Sequence, residues 1–124
     1  MMPTQIADLI NEEVTAIYTA TLTDEKGAAI TLAALTAITL TFYDVATGTI
    51  INSRNGQDVL NDNNVTISAG GLLTWTMQQA DNIIQTATQA VERHRALLEW
   101  NSGTPAKYGK HEVDFFVLNL TKVT

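Results

Sequence analysis

Apolar and polar residues alternate with a period of two along most of this chain. In residues 14–23, Val14, Ala16, Tyr18, Ala20 and Leu22 share one face, and Thr15, Thr19, Thr21 and Thr23 fill most of the other. That is the pattern of a half-buried strand. The stretch DEKG at 24–27 is a turn by composition. Small residues connect it to a second alternating run and carry Ile30, Leu32 and Leu35. In that run Ile38, Leu40 and Phe42 lie on one side and Thr39, Thr41 and Tyr43 on the other. DVATG at 44–48 then predicts a turn into a short third strand around Ile50 and Ile51.

Residues 52–64, NSRNGQDVLNDNN, form the polar centre of the chain and include the turn pair Asn55-Gly56. Val65 and Ile67 begin another strand, Gly70-Gly71 breaks it, and Leu73, Trp75 and Met77 alternate with Leu72, Thr74 and Thr76. VTISAGGLLTWT therefore reads as a hairpin. The next stretch admits two readings. Met77, Ala80, Ile84, Ala87, Val91, His94 and Leu98 fit one long helix over 78–100. A helical turn near 79–85 followed by a strand over 91–100 fits as well, with His94, Ala96, Leu98 and Trp100 inward and Arg93, Arg95 and Glu99 mostly outward. The strand is preferred because HEVDFFVLNL at 111–120 is strongly β-prone and follows a Gly/Pro/Ser loop. It needs an antiparallel partner, and the nearest is the segment before that loop.

The N-terminal stretch breaks the alternation. Ile6, Leu9 and Ile10 fall at helical spacing, with Thr4 after Pro3 as a cap. A helix over 3–13 is marginal alone and needs a surface. It reads either as a lid over its own core or as a docking arm for another subunit through Ile6, Leu9 and Ile10. The expected organisation is an N-terminal arm at 1–13 and a sandwich domain at 14–124. With about seven short strands and turns every 8–14 residues, the fold class is all-β, an immunoglobulin-like antiparallel β-sandwich with one helical turn in the 78–91 connector.

Composition agrees. The 124 residues suit one domain, 45% are hydrophobic and 16% charged, and the 19 threonines favour pleated, half-buried surfaces. The net charge of −6 and scattered cations argue against nucleic acid, since phosphate binding needs clustered Lys and Arg. No apolar run reaches the roughly 18 residues of a membrane span, and no secretory or lipidation signal is visible. Without cysteine there are no disulfides, thiolate metal sites or cysteine nucleophiles.

Candidate chemistry is sparse. His94 and His111 are the only histidines, and neither stands near a strained serine turn among Ser53, Ser68 and Ser102. On the final hairpin His94 and His111 would lie on adjacent strands with Glu92 and Glu112 beside them, a set that can hold zinc, but spacing supplies no third ligand. Asp58, Asp62 and Asn64 invite a calcium reading but lack the order of an EF-hand loop. Trp75 and Trp100 could stack on a sugar, yet their alternation with Leu73, Met77, Ala96 and Leu98 places them in a core. No catalytic residue, cofactor or metal is expected.

Several segments together resemble a known group. These are YTATLTDEKGAAITL, the strand ITLTFYD ending in Asp, GGLLTWT, the connector QQADNII, and the hairpin of ERHRALLEWNSG with GKHEVDFFVLNLTKV. Over residues 14–123 the layout is similar to small immunoglobulin-like sandwich domains of tailed-bacteriophage virion proteins, namely upper-baseplate N-terminal domains and small neck or head–tail accessory proteins. The resemblance implies a non-enzymatic structural component of the virion, made in the host cytoplasm and present in multiple copies. Its partners would be portal, connector, tail or capsid proteins, with no nucleic acid and no membrane. Capsid decoration, or a carbohydrate-binding module, is the alternative.

Overall fold

The computed structural model describes residues 5–24, 26–86, 88–103 and 105–120. Eight strands form: β1 (Gln5–Asn11), β2 (Ala16–Thr21), β3 (Leu35–Asp44), β4 (Gln57–Asp58), β5 (Val65–Ile67), β6 (Leu72–Met77), β7 (Val91–Ser102) and β8 (Lys107–Leu118). A five-stranded sheet runs β1-β8-β7-β3-β4, and a three-stranded sheet runs β2-β6-β5. Between them lies one core, so the chain is an all-β sandwich. Among the described residues no helix is long and apolar enough to cross a membrane.

Parity explains the core. Ile38, Leu40 and Phe42 of β3 are fully buried, and so are Leu73 and Met77 of β6, Ala96 of β7, and Val113 and Val117 of β8. Trp75 and Phe115 join them, and the aromatic rings meet edge to face. Ring centroids are 5.1 Å apart for Phe42 and Trp75, 5.8 Å for Trp75 and Phe115, and 5.4 Å for Tyr18 and Phe115. Such pairs add to the area they bury.

The strand reading of 91–100 holds. β7 pairs antiparallel with β8 from Val91 opposite Leu118 to Ser102 opposite Lys107. The expected helical turn is a 3-10 turn at Gln79–Asn82. The 65–77 hairpin also forms, with Val65 opposite Trp75 and Ile67 opposite Leu73.

Two expectations are corrected. The helix expected over 3–13 is a strand across Gln5–Asn11, parallel to β8, with a register shift between Ile6 and Leu9. An eleven-residue helix gains little by itself, whereas this segment meets the open edge of a twelve-residue strand whose backbone groups need partners. The bulge absorbs the spacing that mimicked a helix: Ile6 and Leu9 take register positions beside Asp114 and Phe116, two apart on β8. The short strand around Ile50 and Ile51 shrinks to a single bridge between Tyr43 and Ile50. Asn52 and Ser53 follow at φ 52° and 57°, and two successive left-handed residues cannot extend a strand. β4 edges the sheet instead.

At the β5–β6 turn Gly71 lies against the end of β2 and the connection that follows it. Its φ is +89°, and a Cβ there would stand 2.1 Å from the Ile30 carbonyl oxygen. Its own carbonyl accepts the Leu22 N–H at 3.0 Å. Gly71→Ala should therefore cost about 2 kcal/mol or more through left-handed strain plus displaced backbone. A urea midpoint unchanged from the parent protein would refute this.

Candidate functional site

One end of the sandwich concentrates the buried polar residues. There β3 ends, β7 begins, and the 52–64 loop meets the 3-10 turn. Arg54 is only 2% exposed. Its Nε donates to Asp81 Oδ1 at 2.6 Å and its Nη2 to Asp81 Oδ2 at 3.0 Å, a bidentate pair. Nη1 donates to Gln57 Oε1 and to the Asn63 carbonyl, and Nη2 also to Asn64 Oδ1. The guanidinium lies over the Trp75 ring, 5.5 Å from its centroid. Asp81 reciprocates by accepting the Gln78 N–H, which caps the turn that presents it.

Side-chain oxygens of the 52–64 loop serve the loop itself. Asn64 is spent on Arg54, Asp58 accepts the Leu60 N–H, and Asp62 accepts the Asn63 N–H. The oxygen-rich loop thus builds its own turns and holds Arg54. Trp75 and Trp100 are both buried, at 1% and 8%, so neither is a sugar platform. Tyr108 is exposed and lines an open groove of about 490 Å³ with Thr23, Asp24, Lys107 and His111.

The two histidines do not come together. In the β7–β8 register His94 faces Phe115 and His111 faces Leu98, four residues apart, or roughly 14 Å along the strands. Glu112 faces Leu97 on the outer side. His111 instead pairs across the sandwich with Tyr18 Oη, its Nε2 at 2.9 Å. Burial lowers the His111 pKa below its usual value and pushes the Tyr18 phenol up to about 12. His94 keeps Glu92, its Nε2 at 2.9 Å from Oε1, and meets Asp44, its register partner on β3. Sequence reasoning missed Asp44, although its parity with Ile38, Leu40 and Phe42 marks it as inward.

The docking-arm residues divide. Ile10 lies beside Val117 and is buried in the core, whereas Leu9 lies beside Phe116 and is 62% exposed. The side chain of Ile6 lies outside the described residues. Leu9, Phe116 and Arg93 form one row across the outer face of β1, β8 and β7, and Asn11, Leu118 and Val91 form the next. Arg93 stacks on Phe116 at 5.6 Å, and Val91 is exposed. An apolar strip thus reaches the open edge of the sheet. Beside it, burial pushes the Asp114 carboxyl up, but hydrogen bonds from Arg95 and Arg93 outweigh that and hold it below the usual carboxylate range.

No family model matches the chain, and no curated protein matches it. The surface itself has to supply the functional argument.

Two predictions follow from the buried groups. Removing one partner of a buried ion pair strands the other, so Arg54→Met should cost about 3–5 kcal/mol. The double variant Arg54→Met/Asp81→Leu should recover part of that, and chemical denaturation of the three proteins measures it. For His111 the folded pKa lies below the unfolded one, so the folded state binds fewer protons through that window. Its contribution to stability is therefore complete above about pH 6.5 and falls as pH drops toward the folded pKa. His111→Gln should flatten the fall in stability below about pH 6.5; an unchanged slope in denaturant midpoints would contradict it.

Proposed function

We propose that this chain is a non-enzymatic structural protein of a tailed-phage virion, acting at the neck, tail or baseplate by assembly with other virion proteins. The observation that carries the reading is the outer edge of β1, unpaired among the described residues, beside the apolar strip of Leu9, Phe116, Leu118 and Val91. β1 is the outermost strand of its sheet, and an edge strand offers a row of backbone donors and acceptors to a partner. The strip gives that contact an apolar centre. The polar Thr39, Thr41, Glu99 and Lys110 lie further along the same face and suit a wet rim.

Topology supports the same setting. The order β1-β8-β7-β3-β4 opposite β2-β6-β5 supports an immunoglobulin-like reading, in which C, F and G strands face B, E and D. That is the fold implied by the likeness of residues 14–123 to phage sandwich domains. Repetition by particle symmetry would let a modest contact at each β1 edge add up.

The test mixes the purified chain with the portal, connector, tail and capsid proteins encoded beside it and follows co-sedimentation. Co-assembly is expected, and Leu9→Glu should weaken it at least tenfold, the scale of an interface anchor. Because Leu9 is exposed, thermal stability should stay unchanged. A chain that remains monomeric beside every virion protein defeats the proposal. Copy number in the particle separates positions: about a dozen or fewer for a neck ring, hundreds for capsid decoration, as symmetry requires.

A further inference from the structure

Next to the Arg54 end, three ionisable side chains share one inward-facing position. Asp44 closes β3, His94 stands opposite it on β7, and Glu92 lies two residues back on the same face of β7. All are fully buried, at 0%, 0% and 1% exposure. One donor atom from each lies within 4.8 Å of those of the other two. Neither carboxylate has a Lys or Arg partner among the described residues. Arg54 is committed to Asp81, and Arg93 and Arg95 grip Asp114 on the outer face. A buried pair of carboxylates without a cation is costly.

The hydrogen bonds show which atoms are spent. Glu92 Oε1 accepts the Gln85 N–H at 2.7 Å, and Oε2 accepts the Thr86 N–H. Asp44 Oδ2 accepts the Thr47 hydroxyl at 2.7 Å. His94 Nε2 abuts Glu92 Oε1. In the tautomer that carries its proton on Nε2, where it donates to the carboxylate, Nδ1 holds the lone pair. His94 Nδ1 and Asp44 Oδ1 are both buried and both without a partner among the described residues. Two buried acceptors remain in a cluster rich in negative charge. An imidazole that donates one N–H to a carboxylate and leaves the other nitrogen open is the usual arrangement around a protein-bound metal.

We propose that Asp44 and His94 bind one divalent transition-metal ion of the zinc class through Asp44 Oδ1 and His94 Nδ1, with Glu92 orienting the imidazole from its other nitrogen. Mixed nitrogen and oxygen donors suit zinc and its neighbours, whereas calcium and magnesium favour oxygen alone. Donor atoms around tetrahedral zinc sit about 3.4 Å apart, closer than the 4.8 Å within which the cluster's donor atoms lie, so the side chains would draw in around the ion. The ion would join the end of β3 to the start of β7 and to the 85–86 connector. This is independent of the β1 surface, so its failure leaves the assembly proposal standing.

The experiment uses the full chain without an affinity tag, refolded from urea with and without zinc chloride so that the buried site is accessible during folding. Expected are one zinc per chain by metal analysis after desalting and a rise in Tm of about 5 °C or more. Asp44→Asn, close in size and shape, should lower zinc affinity at least tenfold, and His94→Gln likewise. His111→Gln should bind as the parent does. The proposal is overturned if the parent holds no zinc after desalting, if a folded Asp44→Asn binds as tightly, or if His111→Gln is the variant that loses the metal.

Discussion

The burial of one guanidinium organises this sandwich. Arg54 is removed from water over the Trp75 ring, and a charge so placed is tolerable only if its donors are met. Meeting them sets the positions of three segments at once. The 3-10 turn must present Asp81, the loop must curl so that Asn63 and Asn64 turn inward, and Gln57 must stand at the sheet edge. The left-handed residues Asn61, Asn63 and Asn64 follow from that curl. Asparagine tolerates this conformation better than most side chains. The low-hydrophobicity centre of the chain is thus the receptor for one arginine.

With that end closed, the long β7–β8 hairpin has a defined start. Glu92 accepts two N–H groups of the connector, and Asn119 takes the Ala90 carbonyl through its backbone N–H and the Gln89 carbonyl through its side chain. The connector is therefore held to the sheet end by buried polar groups. The same region brings Asp44 opposite His94. The two outer faces differ in kind. Thr19, Thr21, Thr66, Thr74 and Thr76 cover most of the small sheet, with Ile17 and Leu72 exposed among them, while the large sheet mixes an Asp114–arginine centre with an apolar strip that runs to β1.

Much of the fold was legible because a strand writes its burial into residue parity. Ile38, Leu40 and Phe42, or Leu73, Trp75 and Met77, can only share a face. The strand at 91–100 was recoverable despite a competing helical spacing, since 111–120 needed a partner. The N-terminal strand was not. Ile6, Leu9 and Ile10 match a helix in sequence, and only the bulge against β8 lets them sit in a sheet. The site was less legible still. His94 and Glu92 could be placed on one strand, but a pairing with His111 assumed a register four residues from the real one.

By itself, then, the sequence determined the fold class, the inward and outward residues of most strands, the polar loop and the helical turn. Those are local consequences of period, turn chemistry and side-chain shape. Only the tertiary structure decided that Arg54 meets Asp81, that Asp44 meets His94 and Glu92, and that Leu9 is exposed while Ile10 is buried. Each of these joins residues from separate elements. Such contacts depend on sheet order and register, which are set by the packing of the whole core and by the need to satisfy every buried polar group.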